Sequence, residues 1–251
     1  MSPPARLADK GRTFTGSIKQ TGQAIRCRCR CRCLNREGET TGDYDYDNDN
    51  DYGNDNDNDN DSGNNYMDEL QQRLKTILRE KSYRQGTFKL SSGRESDFYI
   101  DGKETTLSAE GGYLCGKLLL ELIKKQPRPI EAVGGMTLGA DPIVSAVAVV
   151  SFLEKQPIPA FIVRKESKGH GTGAYLEGEG NLPAGATVAL VEDVVTTGST
   201  LLKVIDRVEA RGYRVGLVAT MVDRQEGGAE ALAARGYELK SLFNRQSLLA
   251  E

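Results

Sequence analysis

Leu70, Leu74, Ile77 and Leu78 recur at helical spacing and predict a first amphipathic helix ending near Lys81. From Phe88 to Asp101 apolar and polar residues alternate around Ser91-Ser92-Gly93, which predicts two short strands joined by a polar turn. Leu114, Leu118, Leu119 and Leu122 share one face of a helix expected over 107–125. A buried strand is expected over 130–133, running into Gly134-Gly135-Met136-Thr137-Leu138-Gly139-Ala140-Asp141. An apolar helix should follow over 142–153, with Pro142 in its first turn, where a missing N–H costs no bond. Strands at 160–163, 187–191, 215–222 and 237–242 then alternate with helices at 201–210 and 229–234. This order predicts an α/β fold with a central, mostly parallel sheet flanked by helices, and such sheets bind ligands beyond the carboxyl ends of their strands.

No such periodicity precedes Met67. Residues 1–36 set nine Lys or Arg against Asp9 alone, and residues 37–66 carry eleven acids and no base, mostly in Asp-Asn and Asp-Tyr repeats. Like-charge blocks with little apolar content cannot bury enough surface to offset the entropy of ordering, so residues 1–66 are expected to be a disordered tail and 67–251 the folded domain. An organelle-targeting segment is a weaker reading, because hydroxylated residues are few and acids follow. Cys27, Cys29, Cys31 and Cys33 lack the separated second pair of a zinc site. Met67 is also a plausible biological start, since it opens directly into a helix.

The tail accounts for the whole formal charge of −3, so the domain is formally neutral and carries no electrostatic footprint for nucleic acid. No run approaches the roughly eighteen apolar residues of a membrane span. Cys115 is the one cysteine beyond the tail, so no disulfide framework is expected and a reducing, cytoplasmic setting fits.

The chemistry concentrates in Val188-Ala189-Leu190-Val191-Glu192-Asp193-Val194-Val195-Thr196-Thr197-Gly198-Ser199-Thr200. Four apolar residues deliver two carboxylates to a strand end, and a hydroxyl-rich glycine loop enters a helix. That loop suits a phosphate monoester, whose charge the helix N-terminus and backbone N–H groups favour. The carboxylates suit a sugar diol or a hydrated Mg2+. A strand followed by an ordinary cap explains one acid and one hydroxyl but not two adjacent acids and four hydroxyls around a glycine. A ribose 5-phosphate has both groups.

This segment resembles the phosphoribosyl pyrophosphate signature of the type I phosphoribosyltransferases. Arg164-Lys165-Glu166-Ser167-Lys168-Gly169-His170-Gly171 resembles the mobile catalytic loop of the orotate enzymes, whose cations suit a diphosphate leaving group. Phe88 to Tyr99 is similar to their hood, and Met221-Val222-Asp223-Arg224-Gln225-Glu226-Gly227-Gly228 to the segment whose arginine meets the orotate carboxylate. The likeness spans 67–251, and the chain is identified as a member of the orotate phosphoribosyltransferase family. Two positions depart from the pattern: Ser91 and Leu138 stand where lysines are frequent, and Lys103 is a candidate replacement for one of them.

The resemblance implies the type I phosphoribosyltransferase fold with a small N-terminal hood. It implies a reaction of orotate with 5-phosphoribosyl 1-diphosphate that gives orotidine 5′-phosphate and diphosphate in UMP biosynthesis. Lys168, His170 and Asp193 would be catalytic. Arg164, Lys165, Lys168 and His170 would meet the diphosphate, Glu192 and Asp193 the ribose, and Val194, Val195, Thr196, Thr197, Gly198, Ser199 and Thr200 the 5-phosphate. Thr196, Arg224, Phe98 and Tyr99 would bind orotate. Mg2+ is implied as cofactor, held mainly through diphosphate and ribose rather than by protein ligands. A homodimer with shared sites is implied, in which Arg164, Lys168 and His170 reach the neighbouring site and Lys165 serves its own; nucleic acid and membrane partners are not. A purine or uracil phosphoribosyltransferase would not need Arg224, and a silent regulator on the same fold would not need the loop cations.

Overall fold

The computed structural model describes residues 59–89, 95–167 and 175–250. Helix α1 (Asp59–Ile77) passes through one π-helical turn at Leu78–Ser82 into an antiparallel hairpin, β1 (Tyr83–Lys89) and β2 (Glu95–Ile100). Leu74, Ile77 and Leu78 form its buried face, as the spacing predicts. The helix begins eight residues ahead of Met67, because extending a nucleated helix adds one hydrogen bond per residue fixed.

The helix predicted over 107–125 is present as α3 (Ala109–Lys124), and a short helix that the pattern did not predict, α2 (Gly102–Thr106), precedes it. Ser108 separates them in an extended conformation, and its Oγ accepts a 3.2 Å bond from Gly111 N. Leu107 closes the first helix, and Ser108, an N-cap serine, starts the second.

The main sheet is built from β3 (Ala132–Met136), β4 (Ala160–Val163), β5 (Leu176–Glu177), β6 (Thr187–Val195), β7 (Arg214–Asp223) and β8 (Leu239–Asn244). Their order is β5-β4-β3-β6-β7-β8, all parallel except the edge strand β5. Helix α4 (Asp141–Leu153) connects β3 to β4, α5 (Ser199–Glu209) connects β6 to β7, and α6 (Gly228–Ala233) connects β7 to β8. A short C-terminal helix, α7 (Arg245–Leu249), is set by Asn244 and Ser247, each side chain bonding the other's backbone N–H.

Alternation along the central strands makes two cores. Val133, Ala189, Val191, Ala219 and Met221 pack with α1, α3 and α4, while Ala132, Val188, Leu190 and Val218 pack with α5 and Leu232. Strand β6 runs four residues beyond the predicted end at Val191, because β7 pairs beside it as far as Val195 opposite Asp223. Glu192 and Asp193 are therefore part of a central strand rather than of the loop after it. No helix among the described residues is long and apolar enough to cross a membrane.

Candidate active site

The two acids lie near the carboxyl end of β6, and both are buried, Glu192 at 8% and Asp193 at 9% exposure. Thr220 Oγ1 on β7 lies 3.1 Å from the Glu192 carbonyl oxygen, which fixes the strand there. Asp193 Oδ1 accepts from Val194 N at 2.9 Å, whereas Glu192 Oε2 is buried with no hydrogen-bond partner. The neighbouring backbone comes very close. A Cβ on Gly139 would sit 2.5 Å from Asp193 Oδ1 and 2.6 Å from Glu192 Oε1, and one on Gly102 would sit 2.8 Å from Asp193 Cβ. Only glycine fits where the loop after β3 and the start of α2 both meet the acids.

Burial first, and the neighbouring Asp193 carboxylate second, push the Glu192 carboxyl well above its ordinary range. The unpartnered oxygen and the raised pKa share one cause: burial without hydrogen-bond donors favours the protonated carboxyl. Glu192→Gln should therefore melt at higher temperature than the wild type. In the unfolded chain the carboxyl ionises near its ordinary 4.5, while in the fold it keeps its proton to higher pH. Its favourable contribution is complete below the unfolded value and is lost as pH rises through the folded one. The variant's advantage should be absent in acid and grow from about pH 4.5 upward, each kcal/mol giving about 2–4 °C. Thermal melts of both proteins across that range check it, and parallel curves would mean that Glu192 ionises normally.

After Val195 the chain turns through Thr196, Thr197 and Gly198 into α5. Gly198 has φ +75°, a left-handed conformation that sets the turn into the helix. The result is a small pocket of about 130 Å³ lined by Glu192 and residues 194–201. It opens at the N-terminus of an eleven-residue helix, where N–H groups and the helix dipole favour an anion.

A wider cleft of about 430 Å³ lies between the loop after β3 and the segment after β4, lined among others by Thr137, Asp141, Arg164 and Lys165. Thr137 Oγ1 donates to Asp141 Oδ2 at 2.7 Å. Leu138 is 68% exposed and brings no charge. Arg164 Nη1 pairs with Glu177 at 3.0 Å, and Lys165 lies close enough to Glu192 to favour its ionised form. Lys103 binds Asp101 at 2.6 Å; this bond, and the nearby Asp193 charge, hold its ammonium pKa above the ordinary value. Lys168, His170 and Ser91 lie outside the described residues.

At the next strand end, Arg224 is 3% exposed and not the solvated arginine that a strand terminus would suggest. Glu226 accepts from its Nε at 2.9 Å and its Nη2 at 2.8 Å, and its guanidinium lies 4.2 Å above the Phe98 ring. Its backbone N donates to Val195 O at 2.9 Å, which ties it to the end of β6. Strand alternation turns Phe98 inward, 2% exposed, and Tyr99 outward, 39% exposed. The Phe98 ring is packed beneath Arg224 and against Tyr83, with 6.0 Å between ring centres, so it supports the arginine. Sequence reasoning missed Glu226 as the partner that orients Arg224, and Gly102 as a contact of the acids. Gly139 had a signal, a glycine closing a turn after a buried strand.

A family model described as a phosphoribosyl transferase domain matches residues 115–241. An orotate phosphoribosyltransferase of Nostoc sp. is 50% identical over 179 residues, 71% of this chain and 85% of the relative. Among solved structures, the Mycobacterium tuberculosis orotate phosphoribosyltransferase in complex with Fe(III) dicitrate superposes with a TM-score of 0.63 at 37% identity, covering 72% of this chain and 99% of that one. The same enzyme in complex with 5-phospho-alpha-D-ribosyl 1-diphosphate gives 0.58 at 35% identity, covering 71% and 98%.

Proposed function

The chain belongs to the orotate phosphoribosyltransferases, within the type I phosphoribosyltransferase family, and on that premise we propose how its own side chains carry the family's reaction. It is a transferase that converts orotate and 5-phosphoribosyl 1-diphosphate to orotidine 5′-phosphate and diphosphate. The bond from the anomeric carbon to the diphosphate breaks, and a bond to the orotate ring nitrogen forms with inversion.

The observation that carries the assignment of roles is the pair of buried acids beside a helix-capped anion pocket, with a buried arginine at the adjacent strand end. The pocket lined by 194–200 takes the 5-phosphate. Glu192 and Asp193 take the ribose hydroxyls, which supply the bonds that Glu192 Oε2 lacks. Asp193 also faces the positive charge that develops on the ribose as the leaving group departs. Arg164 and Lys165, with Lys168 and His170 on sequence grounds, meet the diphosphate, and Lys103 stands in for one of the family's lysines. Arg224 binds the orotate carboxylate, with Thr196 and the hood residue Tyr99 around the base, while Phe98, buried beneath Arg224, supports the arginine rather than meeting the base. These residues all fall within 67–251, which we take as the catalytic unit, working in the cytoplasm.

Family membership implies Mg2+, and hard oxygen donors at the end of β6 suit it. Among the described residues no three His, Cys, Asp or Glu side chains group as a ligand set. Glu192 and Asp193 would meet the ion through ribose hydroxyls or its waters, and when bound it offsets the diphosphate charge. The dimer is supported by α4. Val149, Phe152 and Leu153 recur at helical spacing on one face and are 60%, 71% and 69% exposed, an apolar stripe that a symmetric partner would cover.

Arg224→Ala should remove a charge-assisted bond worth roughly 1.5–3 kcal/mol, raising the orotate KM while leaving that of phosphoribosyl pyrophosphate nearly unchanged. A panel of orotate, uracil, hypoxanthine and adenine with the wild type and this variant tests the reading. Turnover of a base without a carboxylate by the wild type, or an equal loss for both substrates in the variant, would defeat it.

A further inference from the structure

Arg207 lies in the last turn of α5 and has no role assigned above, yet its guanidinium is committed to the segment that carries Arg164 and Lys165. Nη1 donates to the Arg164 carbonyl oxygen, and Nη2 donates to the Lys165 carbonyl oxygen at 3.0 Å. The face of the group lies 4.1 Å from the centre of the Tyr175 ring, and Nη1 is 3.7 Å from Met136 Sδ. Arg164 N in turn donates to Tyr175 O at 2.8 Å. One planar cation therefore ties together the end of β3, the end of β4 and the residue that leads into β5.

The geometry is specific to arginine. Two consecutive carbonyls beyond the last rung of a strand are met by one fork while its π face stacks on an aromatic ring, which an ammonium cannot reproduce. Helix α5 begins at Ser199, inside the pocket assigned to the 5-phosphate, and Arg207 is eight residues further on, about 12 Å along a rigid helix. The 5-phosphate and the diphosphate are the two charged ends of one substrate. A strut between the elements that grip them sets the distance between the two grips.

We propose that Arg207 is a positioning residue for phosphoribosyl pyrophosphate, holding the backbone of Lys165 at a fixed distance from the 5-phosphate loop of its own subunit and fixing the point from which Arg164 extends to the neighbouring site. This rests on the assignment of those two cations to the diphosphate. The bonds formed by Arg207 occupy the carbonyls of Arg164 and Lys165, which are the peptide bonds that trypsin attacks. Two independent readouts follow.

Arg207→Met, which keeps the stem and removes the fork, and Arg207→Lys, which keeps the charge, are compared with the wild type as full-length proteins. The Met variant is expected to raise the KM for phosphoribosyl pyrophosphate about tenfold, the equivalent of one charge-assisted bond, with the orotate KM changed less than about twofold. The Lys variant should recover part of that shift. Trypsin under native conditions should cut after Arg164 or Lys165 faster in the Met variant, read by mass spectrometry of the fragments. A purely structural role would lower the melting temperature and kcat without separating the two KM values. An unchanged KM for phosphoribosyl pyrophosphate, parallel shifts for both substrates, or unchanged cleavage at those two bonds overturns the proposal. If the wild type itself fails to use orotate, the assigned reaction fails, while the trypsin comparison still decides whether Arg207 holds the segment.

Discussion

Asp193→Asn is expected to lower kcat by about 10²–10³, the cost typical of removing a preorganised group that faces charge developing in the transition state. The change is nearly isosteric. Asparagine can still accept the 2.9 Å bond from Val194 N through its own Oδ1, and no cavity opens between Gly102 and Gly139, so the fold should survive. What disappears is the carboxylate that the proposed mechanism sets beside the anomeric carbon. The loss should fall on kcat far more than on the KM for orotate, whose proposed partner Arg224 follows the end of the neighbouring strand β7. The variant also removes the charge that, after burial, holds the Glu192 proton, so the Glu192 carboxyl should ionise closer to its ordinary range. Steady-state kinetics with both substrates and a thermal melt of the same preparation check this. A fall of less than about tenfold in a well-folded variant would show that Asp193 serves only to hold the ribose.

The fold was legible wherever one period dominated a segment. The strand 160–163 and the helix through Leu114, Leu118 and Leu119 stand as their patterns predict. Where an element is too short to show a period, the pattern is a poorer guide. Helix α2 is one such element, five residues capped by the Asp101 side chain, and Ser108 caps the longer helix that follows it. Helix α7 spans five residues, too few for any periodicity, and exists because Asn244 and Ser247 cap one another.

The site shows the same division. The acids and the hydroxyl loop are contiguous in sequence, so their chemistry could be read directly. Their electrostatics could not, because the state of Glu192 depends on burial in the centre of the sheet and on backbone brought in from Gly139, more than fifty positions earlier. Arg224 looks like an exposed terminus until Glu226 and Phe98 are seen to enclose it, and Phe98 comes from the opposite end of the domain. Arg207 is one polar residue on an amphipathic helix, indistinguishable by pattern from Lys203 or Asp206, and only the contact with two carbonyls some forty residues away sets it apart.

Mixing two inactive variants should restore activity if the dimer shares its sites. The first is Asp193→Asn, defective in its ribose grip; the second is Lys168→Ala with His170→Ala, defective in the cations and imidazole that the family resemblance sends to the neighbouring subunit. In a hybrid dimer, one site combines the intact Asp193 of the second protein with the intact Lys168 and His170 of the first, and its own Lys165 is untouched. The other site carries both defects. Random exchange at equal concentrations makes about half the dimers hybrids, each with one normal site, so activity should rise to about a quarter of the wild-type value. The apolar stripe on α4 offers a control, because Phe152→Glu would place a charge on a face that is otherwise apolar at Val149 and Leu153. If that face joins the subunits, this substitution in either parent should yield monomers and abolish the recovery. Activity that stays at the level of the two parents, with exchange verified by mass, would assign Lys168 and His170 to their own subunit. Recovery without α4-dependent dimerisation would place the shared contact on another face.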